Sequence, residues 1–285
     1  MKYRRELEIN DIKRKSAAQR RKIVDLPWAL ERVGEISSWR DGKKMAVFLD
    51  YDGTLTPIVE RPEQAILSAS MRDILKALAK RCVVAIVSGR GLQDVRERVA
   101  LDSLYYAGSH GFEIDGPGDD RIQNEMGTKT LPALDKAETD LRRRLTGVPG
   151  AQVERKRFSV AVHYRRVAAG RIQAVERIVD EVLKFSRGLR RGHGKKVFEL
   201  QPDLDWNKGQ AVLWLMRRLG LTPDKARPIY IGDDVTDEDA FCVLQGTGAG
   251  IVVHGGEERQ TCAGYELVDP GEVQRFLQKL VEVVD

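Results

Sequence analysis

Two pairs of carboxylates follow apolar stretches of this sequence. Asp50 and Asp52 follow one apolar stretch, and Asp233 and Asp234 follow another. Carboxylate oxygens bind hard divalent cations such as Mg²⁺, and a single carboxylate can also act as a nucleophile or transfer a proton. Binding groups in parallel sheets gather where the strands end. Two acid pairs of this kind therefore predict a reaction centre that contains a metal ion.

The segment from Asp50 to Gly53 also has a simpler interpretation. Gly tolerates positive φ and Asp bonds its own backbone, so Asp52 and Gly53 can form a turn that closes a strand. If the backbone instead stays extended, the side chains of Asp50 and Asp52 lie on one side about 6.6 Å apart, because a strand rises ~3.3 Å per residue. Spacing alone leaves the turn and the site open.

The second acid pair is followed one helical turn later by Asp237. Thr236 or Asp237 can cap the helix predicted to follow, because acidic side chains are favourable at a helix amino end. Such a cap accounts for one acid and leaves the others unexplained. The whole set favours Mg²⁺, which proteins commonly hold with one or two carboxylates together with substrate phosphate.

Ser88 and Lys208 occupy positions suited to a phosphate group. Ser88 follows an apolar stretch and precedes a predicted helix, so its hydroxyl and nearby backbone N–H groups can donate to phosphate oxygens. Its alternative role is a helix cap. Lys208 opens a predicted helix and can supply a positive charge. Its alternative role is an ordinary exposed lysine.

The elements that carry these residues alternate between strand and helix. One apolar stretch ends at Asp50, a second at Ser88 and a third at Asp233. Segments with helical spacing lie between and after them, with Ser68 or Ser70 as the cap of the first. This alternation predicts an α/β protein whose parallel sheet has helices on both faces.

The pattern changes between about residue 119 and residue 202. This block contains two helical segments, an alternating strand pair at 152–166 and a further strand at 195–202, which predicts an α+β insertion. Residues 24–39 have the spacing of a short amphipathic helix. The predicted organisation is an amino-terminal extension with a lead-in helix at 1–40, a core at 41–118 and 203–285, and an inserted domain at 119–202.

Composition indicates a soluble globular protein. The 285 residues suit two domains, or one large core with an insertion, and 42% of them are hydrophobic and 32% charged. No apolar stretch approaches the roughly 20 residues of a membrane span, and the amino terminus lacks the apolar centre of a secretory signal. We therefore expect a cytoplasmic protein that does not interact with a membrane.

The three cysteines, Cys82, Cys242 and Cys262, are far apart in the sequence and form no CxxC pair. This spacing argues against a zinc knuckle and against a disulfide framework. We expect all three to be packing residues.

The formal net charge is +5, and the excess is concentrated in three basic segments at 1–22, 141–145 and 187–196. Basic surfaces attract nucleic acid and other phosphates. A solvated helix face or loop is the commoner meaning of such segments, so we expect no nucleic-acid partner.

Four motifs of this sequence resemble those of the haloacid dehalogenase superfamily in order and spacing. They are DYDGTLTPIV from Asp50, VSGR at 87–90, the helix that opens with Lys208, and GDDVTDEDAF from Gly232. The resemblance implies a Rossmann-like parallel-sheet core and phosphatase chemistry with Mg²⁺.

In that superfamily the first acid of the first motif is the nucleophile, and the acid two positions later is the general acid and base. The resemblance therefore gives these roles to Asp50 and Asp52. It also implies a metal site whose ligands are Asp50, the backbone carbonyl of Asp52 and Asp233, with Asp234 or Asp237 in support.

The implied reaction proceeds through an aspartyl phosphate. Attack of a carboxylate on phosphorus divides the hydrolysis into two easier steps. Asp52 protonates the departing sugar oxygen and then deprotonates the water that cleaves the intermediate. Ser88 and Lys208 stabilise charge on the phosphoryl oxygens together with Mg²⁺.

A larger part of the chain, from about residue 27 to residue 254, resembles the trehalose-6-phosphate phosphatases. The similar segments are YYAGSHGFEI from Tyr105, VERKRFSVAVHYR from Val153 and GKKVFEL from Gly194. The resemblance implies that the insertion is a cap that closes over the sugar. The expected sugar-binding residues are Glu154, Lys156, Arg165, Lys195 and Glu199.

A solvated strand face is the alternative for these charged residues, and the alternation of the segment fits both. His110 and His163 are candidate neighbours of the site without an assigned role. Gln201 departs from the ELRP pattern common in that family, and residues 1–23 have no counterpart, so neither receives a role.

The resemblances together imply a Mg²⁺-dependent phosphatase that hydrolyses trehalose 6-phosphate to trehalose and inorganic phosphate. The expected partner is thus a small-molecule sugar phosphate. The nearest alternative is a phosphatase for another sugar phosphate, such as sucrose 6-phosphate or a glucosylglycerol-type phosphate. A non-catalytic regulatory module, whose basic amino terminus holds nucleic acid or a partner protein, is the second alternative.

Overall fold

A computed structural model of the protein describes residues 20–38, 42–118, 127–194 and 196–284. The strands in these ranges are β1 (Arg21–Lys22), β2 (Lys44–Leu49), β3 (Val83–Val87), β4 (Tyr105–Gly108), β5 (Glu113–Asp115), β6 (Gln152–Lys156), β7 (Ser159–His163), β8 (Leu189–Gly194), β9 (Val197–Pro202), β10 (Ala226–Gly232), β11 (Ala249–Val253), β12 (Gln260–Thr261) and β13 (Tyr265–Leu267). The α-helices are α1 (Val33–Ser38), α2 (Ala69–Leu78), α3 (Leu92–Val99), α4 (Leu131–Leu145), α5 (Ala169–Lys184), α6 (Lys208–Arg218), α7 (Glu238–Leu244) and α8 (Pro270–Val283). None of the described helices is both long and apolar enough to cross a membrane.

The larger sheet has seven strands in the order β13-β11-β10-β2-β3-β4-β5. Its neighbouring strands are parallel except for β4 and β5, which are antiparallel. This arrangement confirms the predicted α/β class. The central strands are covered on both faces, which is why residues 45–49 form a continuous apolar stretch instead of an alternating one.

Successive residues of β2 face opposite layers of the core. Val47 and Leu49 pack in one apolar cluster with α1, α2, α3 and α8. Ala46 and Phe48 pack in a second cluster with α6 and α7. The two-residue period of a strand therefore places helices on both faces, as predicted.

The centre of this sheet brings the two acid pairs together. β2 and β10 are parallel neighbours, with Leu49 opposite Ile231. The backbone N–H of Asp50 donates to the carbonyl of Ile231 at 2.9 Å. Because the strands run in the same direction, Asp50 and Asp233 emerge at the same edge of the sheet.

The described residues between 127 and 202 form a second unit with a sheet of its own. Its strands are antiparallel in the order β6-β7-β9-β8. Helices α4 and α5 pack on this sheet around an apolar cluster that includes Leu134, Val160, Val179 and Leu200. The predicted α+β pattern is present, while the division of the chain into a core and a cap domain stays a prediction.

The lead-in segment is not the single helix predicted for residues 24–39. Leu26 has φ −86° and ψ 145°, since a residue before a proline avoids the helical region and Pro27 follows. The described part of the segment has short 3-10 turns at Ile23–Asp25 and Ala29–Glu31, followed by α1. The basic extension before residue 20 lies outside the described residues.

The basic segment 187–196 contains strand β8, so the prediction of a solvated helix face or loop is wrong there. The two-residue alternation expected of a strand is not visible in this segment, because a charged residue also lies on the side that packs against α5. Arg191 lies against α5, where its guanidinium binds Glu176 at 2.8 Å and Asp180 at 2.7 Å. The segment 141–145 does form the exposed end of α4 that the sequence predicted.

The expectation that the cysteines are unbonded packing residues is wrong for two of them. Cys242 on α7 forms a disulfide with Cys262, 20 residues away, with a Cα to Cα distance of 5.0 Å. The path of the chain through β11 and β12 brings them together, and a search for closely spaced pairs does not detect this. Cys82 is unbonded, and its Sγ contacts the carbonyl of Leu78 at 3.5 Å.

We expect Cys242→Ser to lower the free energy of unfolding by about 3 kcal/mol without reductant, because opening a loop of this length releases that much chain entropy. Urea unfolding with and without dithiothreitol is the measurement. Cys82→Ser is the matched control, and it should change stability by less than about 1 kcal/mol. Equal losses in the two variants would contradict the disulfide.

Candidate active site

Lys208 is buried at the start of α6 and contacts two carboxylates. Its Nζ donates to Oδ1 of Asp50 at 2.7 Å and to Oδ1 of Asp237 at 2.7 Å. The helix begins here because the side chain of Asn207 accepts a hydrogen bond from the N–H of Gln210 at 2.9 Å. Lys208 is only 3% exposed, so the interpretation as an ordinary surface lysine is excluded.

Three buried carboxylates surround this ammonium group. One oxygen atom from each of Asp50, Asp233 and Asp237 lies within 4.8 Å of the others. Burial raises the pKa of Asp50 well above its usual value, while Lys208 lowers it and the two other acids raise it further. Burial alone would lower the pKa of Lys208, but Asp237 and Asp50 raise it above its usual value. The cluster therefore combines one ammonium group with three acids, and an ionised Asp50 is favoured only when further positive charge lies nearby.

Hydrogen bonds fix the orientation of Asp237. The hydroxyl of Tyr230 donates to its Oδ1 at 2.6 Å, and the N–H of Asp234 donates to its Oδ2 at 2.9 Å. The side chain of Asp234 instead caps the turn that contains Asp237. Of the two supporting acids that the sequence left open, Asp237 is the one in the buried cluster. Tyr230 was not predicted, because an aromatic residue in an apolar strand looks like ordinary core.

A divalent cation suits this cluster on the chemistry of its donor atoms. The three acids offer carboxylate oxygens, which are the ligands that Mg²⁺ prefers, and their combined charge exceeds that of Lys208. Asp233 also lies against the turn after β2, since a Cβ added to Gly53 would be 2.2 Å from its Oδ2. The backbone of the DYDGTLTPIV motif thus lies next to Asp233 of the GDDVTDEDAF motif.

Asp52 binds Arg90 and does not join the buried acids. The backbone turns after β2, with Gly53 at φ +81° and its N–H bonded to the carbonyl of Thr56 at 2.8 Å. The turn interpretation is therefore right for the backbone at Gly53, and the shared orientation of the Asp50 and Asp52 side chains stays a prediction. Arg90 donates to both carboxylate oxygens of Asp52 at 2.6 Å, and it also binds Asp94 at 2.8 Å. This pair was not predicted, and its only signal in the sequence is the presence of Arg90 in the VSGR motif.

Ser88 is buried in the loop between β3 and α3. Its Oγ accepts a hydrogen bond from the N–H of Arg90 at 3.2 Å, and its carbonyl accepts one from the N–H of His110 at 2.9 Å. The residue at the N-cap position of α3 is Gly91, and the N–H of Leu92 donates to Oε2 of Glu113 at 3.5 Å. The alternative of Ser88 as the helix cap is therefore wrong.

Two of the predicted sugar-binding residues contact the core, Lys156 at this loop and Glu199 at His110. Lys156 Nζ donates to the carbonyl of Gly89 at 3.0 Å and lies 3.6 Å from Oε1 of Glu199. The hydroxyl of Ser159 donates to the same Oε1 at 2.6 Å, and Nε2 of His110 lies 3.4 Å from Oε2. The role of His110 was open in the sequence, and the structure brings it to Glu199.

The other predicted sugar-binding residues are not in this group. Glu154 pairs with His163 at 2.7 Å, a hydrogen bond that lowers the pKa of Glu154. Arg165 donates to the carbonyl of Val59 at 3.4 Å. Lys195 lies outside the described residues.

Comparison with known proteins places this site in a family. Residues 48–270 match the sequence profile described as trehalose-phosphatase. The chain belongs to the trehalose-phosphatase family. It is 41% identical over 271 residues to trehalose-phosphate phosphatase B of Arabidopsis thaliana, covering 91% of this chain and 72% of the plant protein.

Two further comparisons show how far the likeness extends. An uncharacterized glycosyl hydrolase of Mycobacterium tuberculosis is 46% identical over 265 residues, which are 90% of this chain but only 20% of that protein. The crystal structure of a trehalose-6-phosphate phosphatase related protein is 27% identical, with a TM-score of 0.73 over 84% of this chain and 98% of the other. The chain thus spans about a fifth of that mycobacterial relative.

Glu199 should make stability depend on pH. Burial alone would raise the pKa of this carboxyl, but Lys156, His110 and Ser159 hold it well below its usual range. A lowered pKa contributes stability above the unfolded value of about 4.5, and this contribution is lost as the pH falls further. We expect the free energy of unfolding to fall less steeply below that pH in Glu199→Gln than in the native sequence.

The measurement is urea unfolding at several pH values between about 7 and 3. Glu176→Gln is the matched control, because Glu176 forms a half-exposed ion pair with Arg191 and such pairs contribute little. A parallel pH dependence in Glu199→Gln and the native protein would show that Glu199 has no such role.

Proposed function

We propose that this protein hydrolyses trehalose 6-phosphate to trehalose and inorganic phosphate. The observation that carries the proposal is the buried cluster of Asp50, Asp233, Asp237 and Lys208, in a chain of the trehalose-phosphatase family. Buried charges are costly to remove from water, and this cluster has three acids for one ammonium group. A phosphate ester with a cation supplies the charges that such a cluster can bind.

Asp50 is the proposed nucleophile. Its carboxylate attacks phosphorus, the bond from phosphorus to the sugar oxygen breaks, and an aspartyl phosphate forms. Lys208 contacts Asp50 directly and keeps its positive charge, so it offsets the negative charge that accumulates around the phosphoryl group. Ser88, on the neighbouring loop, would donate its hydroxyl to a phosphoryl oxygen.

Asp52 is the proposed general acid and base. It gives a proton to the departing sugar oxygen and then takes one from the water that attacks the aspartyl phosphate. The second step releases inorganic phosphate and restores the carboxylate of Asp50. Both carboxylate oxygens of Asp52 accept hydrogen bonds from Arg90, so one of these contacts must open before Asp52 can carry the proton that it transfers.

Mg²⁺ is the proposed cofactor. Asp50, Asp233 and the backbone carbonyl of Asp52 would hold it, with Asp237 in support and Asp234 as the cap of the adjoining turn. The ion would neutralise charge on the phosphoryl oxygens when bound.

The second unit is the proposed sugar-recognition cap. Its candidate sugar ligands are Glu154, Lys156, Arg165, Lys195 and Glu199. Support comes from Lys156, which contacts the loop that also carries Ser88, and from Glu199, which contacts His110 of the core. Charged groups of this kind hydrogen-bond sugar hydroxyls strongly in a cleft from which water is excluded.

Trehalose 6-phosphate should be hydrolysed with at least about tenfold higher kcat/KM than glucose 6-phosphate or sucrose 6-phosphate, because only the matching disaccharide satisfies all the cap side chains. Phosphate release with Mg²⁺ present is the measurement. Asp50→Asn should reduce the release to background, since an amide neither attacks phosphorus nor binds a cation well. Preference for another ester would overturn the substrate, and no release from any ester would favour a non-catalytic module.

Millimolar Mg²⁺ should raise the unfolding temperature of the native protein, because a ligand that binds only the folded state stabilises it. The shift should be lost in Asp233→Asn, which removes a proposed ligand. Asp73→Asn is the matched control, because Asp73 is an exposed acid on α2 and its loss should leave the shift unchanged. Equal shifts in both variants would refute the assigned metal site.

A further inference from the structure

Two adjacent residues between β4 and β5 adopt a left-handed backbone without being glycine. Ser109 has φ 51° and His110 has φ 57°. Side chains rarely tolerate this region, so surrounding contacts must hold the turn in place. The N–H of Ser109 donates to the carbonyl of Arg90 at 2.6 Å, and the N–H of His110 donates to the carbonyl of Ser88 at 2.9 Å. The turn is therefore fixed to both ends of the Ser88–Arg90 loop.

The left-handed turn places the imidazole of His110 directly on Gly89. A Cβ added to Gly89 would lie 2.8 Å from Cε1 and 3.0 Å from Nε2 of His110. Glycine is needed at this position because the ring approaches the backbone so closely, and not because of its own φ. The ring is mostly buried, with 18% of the His110 side chain exposed.

The other side of the imidazole faces the second unit. Nε2 of His110 lies 3.4 Å from Oε2 of Glu199 on β9. Lys156 on β6 lies 3.6 Å from the other oxygen of Glu199 and donates to the carbonyl of Gly89 at 3.0 Å. The contacts among Gly89, Lys156, Glu199 and His110 thus form a closed cycle. Two of these contacts join the core to the second unit, namely Gly89 with Lys156 and His110 with Glu199.

We propose that His110 is a positioning residue that holds the proposed sugar-binding side chains of the second unit over the Ser88–Arg90 loop. This inference rests on the proposed function for the identity of the substrate. His110 acts through Glu199 and through Gly89, and it does not itself bind the phosphate. Its left-handed backbone and the position of its ring together bring the imidazole to Glu199.

The arrangement predicts a specific kinetic defect. Without the imidazole, Glu199 and Lys156 remain in the chain but lose their fixed distance from the Ser88–Arg90 loop. A substrate whose sugar reaches these groups will bind less well, while a small aryl phosphate that contacts only the core will be unaffected. The defect should therefore appear in KM for the sugar phosphate before it appears in kcat.

Two substitutions separate the contact of His110 from its backbone. His110→Asn keeps a residue type that tolerates the left-handed region, but its amide ends about where Nδ1 lies and does not reach Glu199. His110→Gln carries an amide nitrogen about as far from the backbone as Nε2, so it can restore the contact. The matched control is His254→Asn, because His254 forms a similar pair with Glu266 at 2.7 Å outside the proposed site.

We expect His110→Asn to raise KM for trehalose 6-phosphate roughly tenfold, which corresponds to about 1.4 kcal/mol of binding free energy lost when Glu199 and Lys156 are no longer held in place. Hydrolysis of p-nitrophenyl phosphate should stay within about twofold. His110→Gln should recover most of the KM, and His254→Asn should leave both substrates unchanged. An unchanged KM in His110→Asn, equal losses on both esters, or identical behaviour of the Asn and Gln variants would overturn the proposal.

A double-mutant cycle tests the contact independently of the substrate. His110→Asn and Glu199→Gln, singly and together, should shift the unfolding temperature by less in combination than the sum of the separate shifts. If the native protein fails to release phosphate from trehalose 6-phosphate but the cycle shows this coupling, the proposed function fails and the contact stands. Additive shifts would reject the role of His110 even in an active enzyme.

Discussion

The buried ammonium group of Lys208 is the interaction on which the rest of this site depends. Asp50 and Asp237 come from segments that are distant in sequence, and each carries a charge that is costly to remove from water. Lys208 contacts both, so it allows the loops after β2 and β10 to approach each other inside the protein. The cap formed by Asn207 starts α6 at the residue that supplies this charge. Charge balance and helix geometry thus determine the same position.

Most of the core could be predicted from the sequence because it depends on local patterns of apolar and acidic residues. The continuous apolar stretches of the central strands, and the acids that follow them, predicted both the parallel sheet and the edge where the site lies. The features that were missed depend on tertiary structure. The partner of Asp52 depends on the path of the backbone at the turn with Gly53. The pairing of the cysteines depends on the path of the chain through β11. The left-handed turn at His110 has no periodic pattern in the sequence. The alternation of apolar and polar residues did not predict β8, because its Arg191 faces α5 and pairs there with two acids.

The candidate sugar ligands among the described residues are already paired with the protein itself. Glu199 contacts Ser159, Lys156 and His110, and it is 4% exposed. An ionised carboxylate has about four acceptor sites, so a sugar hydroxyl can bind Glu199 while these partners stay in place. Discrimination among sugars therefore depends on how many hydroxyls reach side chains that the protein already holds in position. A ligand with one hydroxyl misplaced forms one fewer of these hydrogen bonds.

The bond between Cys242 and Cys262 encloses Arg259, whose guanidinium pairs with Glu238 and donates to the carbonyl of Asp233 at 3.2 Å. A covalent link that is sensitive to thiols therefore borders the acid-bearing loop. Reduction of the bond would remove a covalent constraint next to that loop. Activities of two preparations would then be comparable only when the redox state of this bond is the same in both.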